Sequence, residues 1–77
     1  MREYLKRLRD EHHLTQLQIA NTVGMTQQYL QLIEAGKRQQ DMPYSMMERF
    51  SRVFNVPVQE IIDAEVAYAA SRRASAS

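Results

Sequence analysis

The stretch from Thr15 to Gly36, TQLQIANTVGMTQQYLQLIEAG, leaves this chain few folds to choose from. Thr15 followed by Gln18 is a capping box: the hydroxyl can take the backbone N–H of Gln18, and the Gln18 amide can reach back. Leu14 before the cap and Ile19 after it make a hydrophobic staple that sets the angle of entry. Ile19, Ala20 and Val23 then form the inward stripe of a short helix, and Gly24 follows where a left-handed residue ends it at least steric cost. The pattern repeats at once. Thr26 is placed to cap a second helix, Met25 and Leu30 take the staple positions, and the helix runs to about Ala35 before Gly36 stops it. Helices of under ten residues do not hold alone in water, so these two must pack on something.

The remaining apolar periodicity supplies that support. Leu5 and Leu8, with Tyr4 and Met1 beside them, predict an amphipathic helix from Arg2 to about His12. Lys37 to Met42 reads as a polar connection. From Asp41 or Pro43 onward, Met46, Met47, Phe50, Val53 and Phe54 recur at i, i+3, i+4 spacing and predict a fourth helix, with Asn55 as its left-handed stop. Pro57 favours a fresh start, and Val58, Ile61 and Ile62 are the apolar residues of a fifth helix. After Tyr68 the chain becomes AASRRASAS, too poor in apolar surface to order itself, and is expected to fray. No strand pattern occurs. The expectation is an all-α, five-helix domain over residues 1–64, followed over 65–77 by a helical extension and a disordered tail.

Composition narrows the function more than the fold. At 77 residues with 44% apolar content there is room for one small core. No apolar run is long enough to span a bilayer, and no basic-then-apolar leader follows Met1, so neither a membrane partner nor secretion is expected. Cysteine is absent, which removes thiolate chemistry and suits a cytoplasmic protein. His12 and His13 point about 100° apart on a helix and read as a solvated helix end, not as metal ligands. With no phosphate-cradling glycine loop, no carboxylate pair on a shared face and no metal-ligand spacing, neither an enzyme nor a cofactor is expected. Net charge is only +1, so any anionic partner depends on how the charges are distributed. Basic residues cluster at Arg2, Lys6, Arg7 and Arg9, at Lys37 and Arg38, and at Arg49 and Arg52, while Glu60, Asp63 and Glu65 lie toward the C-terminus.

On a helical wheel the third helix divides cleanly. Leu30 and Ile33, with Tyr29 at the border, face inward; Gln27, Gln28, Gln31 and Ala35 face outward. A solvent face usually carries charge, whereas this one carries uncharged amides beside a small residue. A glutamine amide offers a donor and an acceptor together, matching the N6/N7 pair of adenine in the major groove. A merely polar face is the plainer alternative.

The run LRDEHHLTQLQIANTVGMTQQYLQLIEAGKR resembles the lambdoid phage repressor and Cro-like, or XRE-type, helix-turn-helix family. The resemblance rests on Leu8-Arg9, Leu14-Thr15-Gln16, Ile19-Ala20, Gly24, Thr26-Gln27-Gln28, Leu30, Ile33-Glu34 and Gly36-Lys37. FSRVFNVPVQEII, from Phe50 to Ile62, looks like that family's fourth and fifth helices, so the likeness covers Leu5 to Ile62. It implies sequence-specific binding of double-stranded DNA. Gln16 would hydrogen-bond a phosphate at the first turn of helix two. Gln27 and Gln28 would read base edges, with Gln31 next along the face and Thr26 at its start. Tyr29 would offer its hydroxyl to a phosphate, and Lys37 and Arg38 would clamp the backbone. Arg9 and Glu34 match a family ion pair that holds the recognition helix at its angle, without touching DNA.

Departures from the family pattern stand beside these matches. Leu32 occupies the rim of the reading face, where a polar or basic residue is common; it either meets a thymine methyl or is a tolerated exposed leucine. Leu17 is similarly apolar. The connection from Lys37 to Tyr44 looks longer than in the phage repressors, Ser51 replaces an alanine, and Pro57 replaces a capping serine. Family members commonly dimerise through the fifth helix, which here offers Ile62, Val66 and Ala69, with Tyr68 nearby. A homodimer on a pseudo-palindromic operator, with half-sites roughly 34 Å apart, is the expected assembly. Arg72-Arg73-Ala74-Ser75 has the spacing of a basic-directed phosphorylation site, a weak match at a chain end. The leading reading is a transcriptional repressor. The alternative is the antitoxin of a toxin–antitoxin pair, with a toxin as protein partner and autoregulatory DNA binding.

Overall fold

The structure, a computed structural model, describes residues 1–76, with side chains described through residue 73. Five α-helices follow one another: α1 Glu3–Glu11, α2 Gln16–Val23, α3 Gln27–Glu34, α4 Tyr44–Phe54 and α5 Val58–Ala76. They pack α4 on α5, α2 against both α3 and α4, and α1 on α3. Among the described residues no helix is long and apolar enough to cross a membrane.

The two short helices close as their capping residues require. Thr15 Oγ1 accepts from the Gln18 amide at 3.1 Å, and Thr15 N–H donates to Gln18 Oε1 at 2.8 Å, completing the capping box. Gly24 ends α2 in the left-handed region at φ 84°, where both its own amide and that of Met25 donate to Ala20 O at 2.9 Å. Thr26 caps α3 by accepting from the Tyr29 amide at 3.1 Å. Asn55 takes φ 54° at the end of α4, as its sequence position suggests. Ser51 is buried and its hydroxyl donates back to Glu48 O at 2.7 Å, which satisfies a polar group where an alanine would have none.

The core is built from Leu5 and Leu8 of α1, Ile19, Ala20 and Val23 of α2, Leu30 and Ile33 of α3, Phe50 and Phe54 of α4 and Ile61 of α5. Tyr4 and Met42 complete it. Met42 corrects the reading of residues 37–42 as a wholly polar connection: it is an anchor that pins the end of that loop to the core. Met1, expected beside Leu5, is exposed instead.

Two larger differences concern charge and the C-terminus. Arg2, which reads as part of a basic surface, is fully buried, and Glu65, which reads as one of an acidic cluster, is buried with it. Paired, each offsets the other's desolvation. The segment expected to fray after Tyr68 continues α5 to Ala76, and no break falls at residues 64 and 65. Alanine is the strongest helix former, and the apolar count that suggested disorder takes no account of it. Tyr68 adds tertiary anchorage, with Arg2 Cζ 4.7 Å and Arg72 Cζ 5.7 Å from its ring centroid. Ser77, the last residue of the expected tail, and the Ser75 side chain lie outside the described residues. His12 is not merely solvated: its Nε2 lies 2.8 Å from Phe54 O and its ring 5.8 Å from that of Phe54.

Candidate nucleic-acid interface

Helix α3 presents its amides outward from a firmly held base. Leu30, Ile33 and Glu34 are buried, whereas Gln28, Gln31 and Ala35 are exposed and Gln27 is half-buried. The division follows the wheel except at Glu34, whose burial periodicity does not predict. Among the described residues the side-chain amides of Gln27 and Gln28 make no hydrogen bond, so both groups of each remain available. Thr26 spends its acceptor on the cap, which leaves its exposed hydroxyl proton to donate outward. Leu32 is half-buried at the rim.

Behind the face runs a chain of polar contacts from α1 to the exposed amides. Arg9 Nε lies 3.4 Å from Glu34 Oε2, and Arg9 Nη2 donates to Glu34 Oε1 at 3.4 Å. Gln16 Nε2 donates to the same Glu34 Oε1 at 3.3 Å, and Gln31 Nε2 donates to Gln16 Oε1 at 3.1 Å. Gln16 therefore links the first turn of α2 to the reading face, and Gln31 is held in one orientation with its acceptor oxygen outward. The Arg9–Glu34 pair expected from the resemblance is present, with the arginine 18% and the glutamate 5% exposed. Removing one partner of a fully buried pair costs about 3–5 kcal/mol; partial exposure of Arg9 places this pair toward the lower end.

The flank of α3 carries the cations. Lys37 and Arg38 are exposed, and among the described residues neither is ion-paired. Tyr29 is half-buried, and its hydroxyl accepts from Gln39 Nε2 at 2.6 Å, which leaves its proton free to donate. Other cations are already engaged or lie elsewhere. Arg7 pairs with Glu11 at 3.8 Å, Arg52 with Glu48 at 3.9 Å, and Arg49 donates to Val23 O at 3.5 Å at the end of α2. The positive potential next to the amide face thus rests on residues 37 and 38.

Periodicity and capping do not reveal the Arg2 cluster. Its guanidinium uses all five N–H donors: Nε to Glu65 Oε2 at 2.8 Å, Nη1 to Ile33 O at 2.7 Å and Arg38 O at 3.0 Å, and Nη2 to Glu65 Oε1 at 3.2 Å and to Gln39 O. Tyr4 donates its hydroxyl to Glu65 Oε2. Burial, and after it that hydrogen bond and the Glu65 charge, hold the Tyr4 phenol far above its ordinary value. The only sequence signal for the cluster is an arginine one residue before an apolar helix, which by itself reads as surface. The expected α5 stripe is half-buried at Ile62 and Ala69 and exposed at Val66, and these line an open groove of about 240 Å³ with Met42 and Met47. Tyr68 is not part of it, being turned toward Met1 and Gly36.

The match to known proteins agrees with this geometry. The helix-turn-helix family model covers residues 5–61, which runs from Leu5 within α1 through the first turn of α5 and takes in every residue of the amide face. No curated protein and no solved structure matches the chain. With the capped hinge at Gly24, the outward amides of α3 and a family match over most of its length, the chain belongs to the Cro-like, or XRE-type, helix-turn-helix family of DNA-binding transcriptional regulators.

Proposed function

We propose that the protein is a repressor that binds a two-fold operator as a homodimer, inserting the N-terminal turn of α3 into the major groove. The observation that carries this reading is Gln28: exposed on the first turn of α3, with an amide that nothing among the described residues occupies. Residues at that end of a recognition helix meet base edges, and an unpartnered glutamine amide matches adenine in both its donor and its acceptor. Gln27 reads beside it, Gln31 follows with its amide already oriented by Gln16, and Leu32 lies where a thymine methyl would fit. Phosphates fall to Gln16 and the start of α2, to the Thr26 and Tyr29 hydroxyls, and to Lys37 and Arg38. Repression is the simplest mechanism, because occupying an operator needs no second surface.

The partner copy would seat its Ile62, Val66 and Ala69 against the same residues across a two-fold axis. Enrichment of random duplexes on the purified protein, followed by fluorescence-anisotropy titration, tests the whole reading. Two half-sites about one helical turn apart are expected. Gln28→Ala should weaken the selected site by about 1–3 kcal/mol and leave random duplex binding nearly unchanged. Equal loss on both would remove Gln28 as a reader. Stable co-purification of a small basic protein with the native chain would turn the assignment toward an antitoxin.

A further inference from the structure

We propose that Arg2 is a positioning residue for DNA binding, shaping the turn at residues 36–40 so that Lys37 and Arg38 face the phosphate backbone. Through Glu65 and Tyr68, helix α5 sets that shape. The inference rests on the DNA-reading role proposed above, and goes beyond it by naming a residue that touches no DNA.

Most of the Arg2 donors go to backbone carbonyls. An ion pair with Glu65 would occupy two of the guanidinium's five N–H groups. The other three go to the carbonyls of Ile33, Arg38 and Gln39. These are the last turn of α3 and two consecutive peptide units directly after Lys37. Turning two successive carbonyls inward onto one cation fixes the peptide planes of the turn, and the side chains of Lys37 and Arg38 are left outside. Gln39 takes φ 56° there, a left-handed conformation that a glutamine adopts only when its surroundings compel it.

Backbone bonds restrain the start of the turn, where Gly36 N–H donates to Ile33 O at 3.0 Å and Lys37 N–H to Leu32 O at 2.9 Å, and little else holds it beyond residue 37. Gln40 Nε2 donates to Gly36 O at 2.8 Å, but in an exposed position. Gln39 Nε2 reaches Tyr29 from the loop's far end. Among the described residues the carbonyls of Arg38 and Gln39 are held by Arg2, and the other tether of Gln39 is that side-chain bond to Tyr29. Helix α5 fixes Arg2 from two directions. Glu65 takes its Nε edge, and the Tyr68 ring covers its face at 4.7 Å while the Tyr68 hydroxyl abuts Gly36 at the start of the turn. A movement of α5 therefore moves the arginine and with it the turn.

The test compares Arg2→Lys with a neutral pair, Arg2→Met combined with Glu65→Gln. Lysine keeps the charge but has three donors on one point and cannot serve three carbonyls and a carboxylate at once. The neutral pair leaves no buried charge unpaired and keeps an acceptor for the Tyr4 hydroxyl. Both are read well below their unfolding temperature by the salt dependence of duplex binding. If residues 37 and 38 lose their phosphates, the slope of log K against log salt falls by about 0.9 per contact, or about 1.8 for both. Discrimination between selected and random duplex should persist in its Gln28-dependent part. In the free protein, exchange of the Lys37 amide, which donates to Leu32 O at 2.9 Å, should quicken at least tenfold while Ile19 and Ala20 stay protected. A merely structural role would lower stability and leave the slope intact, so an unchanged slope in a folded variant overturns the proposal. So does a failure of both variants to fold, which makes Arg2 a stability element only. If the unaltered protein shows no salt-dependent duplex binding, the DNA-reading role fails, while the exchange measurement still decides whether Arg2 orders the turn.

Discussion

Gly24 and Gly36 sit at nearly the same left-handed φ, 84° and 79°, yet replacing them with alanine should have unequal consequences. The shared part is conformational. An L-residue in that region costs about 1–2 kcal/mol, offset by about 0.4–1 kcal/mol because alanine also restricts the unfolded chain. Around Gly24 a Cβ would meet nothing within 4 Å, so Gly24→Ala should cost about 1 kcal/mol in all. At Gly36 the Cβ would run into the Tyr68 hydroxyl, with Tyr68 Cζ at 3.5 Å behind it. The tyrosine must move, and it is the ring that stacks on the buried Arg2 guanidinium. A desolvated cation–π contact contributes about 2 kcal/mol, so Gly36→Ala should cost about 3 kcal/mol. For a domain of this size that difference of about 2 kcal/mol separates the two melting temperatures by about 8–16 °C. Tyr68→Phe supplies the control, since it deletes the clashing oxygen and keeps the ring. In that background Gly36→Ala should fall back to about 1 kcal/mol, a coupling of about 2 kcal/mol. Urea unfolding of the four proteins of the cycle, with Gly24→Ala as reference, measures all of this. Equal costs at the two glycines, or no relief from Tyr68→Phe, would refute the reasoning.

Glu34→Ala strands Arg9 in a half-buried site and removes the acceptor of Gln16, and should cost about 3 kcal/mol in chemical denaturation; adding Arg9→Met should recover part of it. Alkaline pH should weaken the fold through Tyr4. The folded-state value of its phenol is raised above the unfolded value of 10.0, so the contribution is complete below pH 10 and is lost as pH rises beyond it. The slope approaches 1.36 kcal/mol per pH unit while only the unfolded state is ionised, and its absence from the difference between this protein and Tyr4→Phe would contradict the burial argument.

The parts of the structure that could be read from sequence are those governed by neighbours within about five residues. Thr15, Gln18, Gly24, Thr26 and Asn55 fix local backbone geometry through their own side chains, and each does in the structure what its position suggests. The wheel of α3 is equally local. What escaped the reading is decided by partners far along the chain: Arg2 meets Glu65, 63 positions away, and Arg38 O, 36 away. Neither residue has an unusual neighbourhood. Charge type favours a surface location for an isolated arginine, and only the arrival of a carboxylate, three carbonyls and an aromatic ring at one point reverses that preference. The C-terminus escaped for another reason. Counting apolar residues after Tyr68 measures the capacity to form a core, whereas α5 needs only alanine-rich propensity once its N-terminal half is packed.

Two arginine–carboxylate pairs, one buried and one partly exposed, are a poor means of adding stability in so small a domain, since apolar residues replacing both partners of such a pair would often do as well. Their placement suggests what they do instead. Arg9 holds α3 at Glu34 and Arg2 holds it at Ile33 O, so both act on its C-terminal turn, where positive charge also complements the helix dipole. The N-terminal turn, bearing Gln27 and Gln28, is restrained by the Thr26 cap and core packing alone. Gln28 lies six residues from Glu34, about 9 Å along the axis at 1.5 Å per residue, and a tilt of about 6° at the clamped end would carry it about 1 Å. Hydrogen bonds to base edges tolerate only about 0.5 Å. A clamp made of directional bonds resists such a tilt, whereas a greasy contact of equal strength would let the helix slide. On this reasoning the arginines serve aim more than stability. Replacing both Arg9 and Glu34 with packed apolar residues should then leave the protein no easier to unfold, and yet cost it part of its preference for the selected duplex.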